Sequence, residues 1–200
     1  GYSCAQVVSI LWNSMNSAWS PWAYEQMDSK NYTALKKASK PFMLSFGIIV
    51  FGGLLIAPEL LLIMGGKTYS SALAVLPPVM LGYVFQFVYS LYVNIEFYSK
   101  KQKYIAIGTT IAALTNIVLN WIFIPIFGYI AAAYTTMIGY IVLFLVHFGF
   151  VKKLGKLNWY DTKFNMTFLG LTILCLPVIL LLYKITIVRY LLILAMAVVI

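Results

Sequence analysis

Few residues in this chain could do acid, base or metal chemistry. It holds one histidine, His147, five acidic residues and two cysteines, Cys4 and Cys175, in 200 positions. None of them forms a DxD, HxxxD, HExxH or GxSxG arrangement, and no glycine-rich loop ends in Lys-Ser or Lys-Thr to cradle a phosphate. Cys4 and Cys175 lie in apolar stretches without CxxC or Cys-His spacing, so both are expected to be small core residues rather than metal ligands or a disulfide. We expect no catalytic residue, no metal and no cofactor.

Three ionisable groups fall in or beside long apolar runs: Glu59 after Pro58, Glu96 and His147. A titratable group facing a protein-lined cavity could bind the proton or sodium ion of a coupled transporter. Glu59 is the candidate for such ion coupling. For Glu96 and His147 the simpler expectation is a place near the membrane interface or a pair with a nearby lysine, such as Glu96 with Lys100 one helical turn on.

Uncharged polar residues give two further patterns. Gln6, Ser9, Asn13, Asn16 with Ser17, and Ser20 recur at spacings of three and four, which puts them on one helical face. Such a stripe is costly beside lipid, so it faces either a hydrated substrate cavity or another helix. Gly108, Ala112, Asn116 and Asn120 follow at intervals of four. Small residues at that spacing let two helices approach, and buried Asn side chains bond across the contact, so helix packing is the expected role ahead of substrate contact.

The elements that position these residues follow from the apolar runs. Residues AVILMFWYC make up 62% of the chain and charged residues 10%, against roughly 45–50% and 25% in soluble domains. Runs of about 20 apolar residues match the hydrocarbon thickness of a bilayer at the rise of an α-helix. Membrane strands would be shorter and would alternate in polarity. We therefore expect an all-α membrane protein, a polytopic bundle of about six complete spans and a truncated seventh: residues 1–24, 42–64, 72–97, 104–124, 129–151, 164–183 and 190–200. The missing leader and the short last run suggest a fragment.

The net charge of +9 does not form a stripe with interleaved aromatics, which argues against a nucleic-acid partner. Instead 11 basic residues lie in alternate connections after spans one, three and five, and only 3, Lys67, Lys184 and Arg189, lie in the others. By the positive-inside rule the lysine-rich connections are cytoplasmic and membrane lipid is the surrounding partner. The outward connections are too short and too poor in polar groups to hold the acidic or arginine cluster of an embedded polymerase or acyltransferase. Pro41 is expected in the first turn of span two, Pro77-Pro78 and Pro177 as kinks within spans three and six, and Gly128 in a tight turn.

With these elements in place, the stretch Ala18-Trp19-Ser20-Pro21-Trp22 into Tyr24-Glu25-Gln26, then Ala57-Pro58-Glu59 with Gly65, Gly66 and Tyr69, then Thr115 to Asn120 with Ile124-Pro125 and Phe127-Gly128, and Ala131 to Thr136, resembles the C-terminal half of Wzx-type oligosaccharide flippases. These belong to the multidrug/oligosaccharidyl-lipid/polysaccharide exporter superfamily. The resemblance covers about residues 1–155, and residues 156–200 match only in being apolar helices. It implies one lobe of a 12- to 14-helix transporter, with span one the eighth of 14, that moves undecaprenyl-diphosphate-linked oligosaccharide across the bacterial cytoplasmic membrane by ion-driven alternating access. The partner is then the lipid-linked oligosaccharide, and an N-terminal lobe carries the basic residues for the diphosphate, since no basic residue here lies mid-membrane. A drug/cation antiporter of the same superfamily is the competing reading.

Overall fold

The computed structural model describes residues 2–65 and 73–199, all of it helices and their connections, without a strand among the described residues. Lys67, Gly66 and Tyr69 lie outside the described residues, as does the Cys4 side chain. Eight α-helices follow in order: α1 (Tyr2–Asp28), α2 (Tyr32–Leu55), α3 (Ala57–Gly65), α4 (Leu76–Tyr98), α5 (Gln102–Phe127), α6 (Tyr129–Lys153), α7 (Thr162–Leu182) and α8 (Thr186–Val199), with a 3-10 turn at Leu157–Trp159 before α7. Five of them, α2, α4, α5, α6 and α7, are long and apolar enough to cross a membrane. Helix α1, at 27 residues, has the length but is more polar.

Proline placement departs from the sequence expectation in two helices. Pro77 and Pro78 stand in the first turn of α4, whose N-cap is Val75, instead of kinking a longer span. Their missing N–H groups cost nothing there, because first-turn amides have no partner inside the helix. Conversely Pro41 lies ten residues into α2, because the lysine-rich segment before it is already helical and Asn31 caps it, its side chain accepting from the Ala34 N–H at 3.2 Å. Pro177 sits inside α7, as expected. The second apolar run is also broken, at Ile56, into α2 and α3. Pro58 has no N–H to give the Leu54 carbonyl four residues back, and the Tyr183 hydroxyl donates to it instead at 3.0 Å.

Helix α4 is the hub. It is buried along most of its length and touches α1, α2, α5, α6 and α7. Contacts fix the directions: Phe85 with Phe144 and Tyr89 with His147 make α4 and α6 parallel, whereas Gly108 with His147 and Asn116 with Gly139 make α5 and α6 antiparallel. Helices joined by short connections thus alternate up and down. The lysine-rich connections collect at one end, where Lys156 donates to Ser99 at 2.6 Å and lies over Trp159, Tyr32 stacks on Trp159 and Lys40 pairs with Asp161. The buried core runs on through Tyr160, Leu169 and Ile179, so residues on both sides of position 155 share it.

Turns at that end share one geometry. After α1, α4 and α6 the amide two residues past the cap bonds back to Gln26, Glu96 and Val151 respectively, at 2.8, 2.9 and 3.2 Å. Each closure needs a left-handed residue, supplied by Lys30 (φ 56), Lys100 (φ 56) and Gly155 (φ 69). Glycine at 155 has no Cβ to strain, but the two lysines do.

Outward faces are apolar. On α5, Ile107, Ile111, Leu114, Val118 and Trp121 are exposed at helical spacing, opposite the small and polar residues that meet α6. An exposed apolar face of this length is what a helix long and apolar enough to cross a membrane presents.

Candidate functional site

The lysine-rich end of α4 carries three polar side chains within about one turn, Tyr92, Asn94 and Glu96, and each bonds to a different neighbour. Tyr92 accepts from the Asn165 amide of α7 at 2.9 Å. Asn94 donates to Ser20 of α1 at 3.1 Å and accepts from the Tyr24 hydroxyl at 3.2 Å. Glu96 meets His147 of α6, with Oε2 2.9 Å from Nδ1. Polar groups buried in an apolar bundle must find partners, and here those partners fix three helices on one.

Glu96 and His147 have fully buried side chains, each 0% exposed. Glu96 Oε1 and His147 Nε2 have no hydrogen-bond partner among the described residues. Tyr89 stands edge-on to the imidazole at 4.7 Å and Phe150 at 6.0 Å. On the α5 side the ring lies directly against Gly108, where a Cβ would collide with Nε2. This corrects the expectation that Glu96 pairs with Lys100 near the interface: Lys100 closes the turn after α4, and Glu96 points the other way, into the α4–α6 seam.

Of the residues read from the sequence, Gly108, Ala112, Asn116 and Asn120 come together on the α5–α6 contact. Asn120 donates to Asn116 at 3.0 Å and accepts from the Thr135 hydroxyl at 2.5 Å, while Asn116 lies against Gly139. A groove of about 270 Å³ opens beside Asn116 and Thr136. Glu59 is engaged from three sides, by both terminal nitrogens of Arg189 at 2.5 and 2.6 Å and by the Tyr190 hydroxyl at 2.8 Å. Arg189, expected in a connection, belongs to α8 and is 3% exposed.

On α1, Gln6, Asn13 and Ser17 are exposed, while Ser9, Asn16 and Ser20 are half-buried along the edge of the helix. The adjoining face buries Val8, Trp19, Ala23 and Met27. Ser17 and Ser20 donate to the carbonyls of Asn13 and Asn16 at 2.8 and 2.9 Å, so the amides of the stripe remain its outward polar groups. Leu11 is 36% exposed.

Asn94 and the contact between Glu96 and His147 were not read from the sequence. Glu96 and His147 are 51 positions apart, and nothing local to either announces the other. The one available signal was that the alternating spans place the ends of spans three and five on the same side. At the same end, burial beside Lys101 lowers the Lys156 ammonium below the ordinary lysine range. No three His, Cys, Asp or Glu side chains among the described residues gather as metal ligands would. Comparison with protein-family models, curated proteins and solved structures finds no match.

Proposed function

We propose that this chain is a lobe of a membrane transporter that flips undecaprenyl-diphosphate-linked oligosaccharide across the bacterial cytoplasmic membrane, for capsule, O-antigen or another cell-surface polysaccharide. The observation that carries the transporter reading is the stripe on α1. Gln6, Asn13 and Ser17 are polar, exposed and uncovered by any described helix, on a helix 27 residues long in a bundle whose other outward faces are apolar. Amides in that position are disfavoured against lipid and are satisfied by a hydrated cavity between this lobe and a second one. The motifs around Trp19-Ser20-Pro21-Trp22 and Thr115 to Asn120 supply the choice of cargo. Sugar hydroxyls suit a wall of amides and hydroxyls better than a wall of carboxylates, which a cation carrier would favour.

The reading is tested by cysteine substitution in the full-length protein. Cysteines at Asn13 and Ser17 should react with a small, polar, membrane-impermeant thiol reagent, and the lipid-linked substrate should slow that reaction. A cysteine at Ile117, exposed on the apolar face of α5 at 62%, should stay unreactive. Equal protection at all three positions would remove the cavity and with it the support for transport.

A further inference from the structure

We propose that Glu96 and His147 form a proton-binding dyad that sets how tightly α5 docks on α6. The inference deepens the transporter reading, for which the dyad would supply the coupling proton, and rests on that reading only for its use in transport.

The geometry leaves room for one exchangeable proton. With the imidazole neutral and its hydrogen on Nδ1, the ring donates to Glu96 Oε2 across the 2.9 Å contact, and the pair carries a charge of −1. Uptake of a proton at Nε2 gives imidazolium beside carboxylate and brings the pair to zero. No bond other than N–H is made or broken. The neutral pair suits an apolar surround better than the anionic one, but it places a new N–H donor at Nε2.

That donor has nowhere to go in the closed seam. Nε2 is buried, has no partner among the described residues, and lies against the α-carbon of Gly108. The surrounding groups do not compensate. On α4 the neighbour is the neutral Tyr89 ring, and on α6 it is Phe150. On α5 it is Gly108, with Lys101 and Lys103 back at the start of that helix. Helices α1 and α7 direct Tyr24 and Asn165 at Asn94 and Tyr92 instead. Among the described residues, no lysine or arginine forms an ion pair with Glu96, which pairs with His147.

Helix α5 is also the element best able to respond. Most of its surface faces outward, and it is held mainly to α6, along a seam that runs from Tyr104 against Phe150 through Gly108 and Asn116 to Asn120. Protonation at Nε2 therefore favours withdrawal of the Gly108 turn, which admits water to the new N–H. Deprotonation favours the closed seam.

His147 is the chain's single histidine, so its removal isolates the dyad's part in any response between about pH 5 and about pH 8. Spin labels at Ile107→Cys and Leu145→Cys, both on exposed positions of α5 and α6 at 51% and 53%, would be placed in a Cys4→Ser, Cys175→Ser background of the full chain in lipid nanodiscs. Pulsed dipolar spectroscopy then reads the distance between the helices. The expected result is a longer, broader distribution at about pH 5 than at about pH 8, with the response abolished in His147→Gln and suppressed across that range in Glu96→Gln. A distribution that ignores pH in the otherwise unaltered chain would overturn the proposal, as would a response that persists in either variant. Either result would leave the flippase reading standing, since that is decided by substrate protection of Asn13 and Ser17 and not by these distances.

Discussion

Glu59 and Arg189, 130 positions apart, meet in a two-point ion pair that also closes the break between α2 and α3, because Arg189 Nη1 donates to the Leu55 carbonyl at 2.9 Å as well. One guanidinium thus satisfies a carbonyl freed at the helix break and a carboxylate beside it. The planar fork is suited to this in a way a lysine ammonium is not.

Replacing Arg189 with Met should lower the stability of the purified protein by about 1.5–3 kcal/mol, the usual range for hydrogen bonds to a charged group. Arg189→Lys should recover only part of the loss. Thermal unfolding in detergent measures both. Unchanged midpoints would mean that α8 docks without this pair.

The α5–α6 seam makes a second prediction. Gly108→Ala forces a methyl group into His147 Nε2 and should cost about 1–3 kcal/mol, as overpacking does. Asn120→Leu removes the bond that joins α5 to Thr135, which is 2% exposed and keeps only the Ala132 carbonyl of its own helix at 3.1 Å, and should reduce the amount of folded protein more than the transport per folded molecule. Normal abundance with abolished transport would place Asn120 in the substrate path instead.

Much of this was readable in the chain, and the misses share a cause. Apolar run length and the lysine connections located α1 and α4 to α7 to within about a turn at each end, but missed both ends of α2, which runs from Tyr32 to Leu55. Spacing alone put Gly108, Ala112, Asn116 and Asn120 on one face, because a helical face is a local property. The error at Pro41 came from the lysine run before it: its charge marks the end of a membrane span, yet lysine is a good helix former and α2 begins at Tyr32. The error at Pro77 and Pro78 came from starting span three at residue 72, whereas α4 begins at Leu76. Glu96 with His147, and Asn94 with Ser20 and Tyr24, were hidden because which face of α4 meets which neighbour is set by the packing of the whole bundle.

Asp161 accounts for one pH effect. The Lys40 ammonium at 2.6 Å, and then the Phe164 amide that its carboxylate caps, hold it below the ordinary carboxylate value of 3.8. A carboxylate depressed in the folded state contributes stability above its unfolded value, and that contribution is lost as the pH falls through the lower folded value. Unfolding midpoints should therefore drop more steeply below about pH 4 in the unaltered protein than in Asp161→Asn. Parallel curves would show that the Lys40 pair contributes nothing.

Lys100 closes the turn after α4 at φ 56. A left-handed conformation costs a non-glycine residue roughly 1–2 kcal/mol, part of which glycine recovers. Lys100→Gly should raise stability by about 1 kcal/mol, while Lys101→Gly, just past the turn, should not. Equal effects would mean that the gain comes from removing charge rather than from relieving the backbone.

The claim that matters most is the movement of a lipid-linked oligosaccharide, and one measurement addresses it directly. Deleting the full-length gene and assaying the leaflet distribution of undecaprenyl-diphosphate-linked repeat units should show them accumulating on the cytoplasmic leaflet, with wild-type distribution restored by the intact gene. Repeat units that reach the outer leaflet at the normal rate in the deletion, together with raised sensitivity to cationic drugs, would contradict the flippase account and leave a drug/cation antiporter in its place.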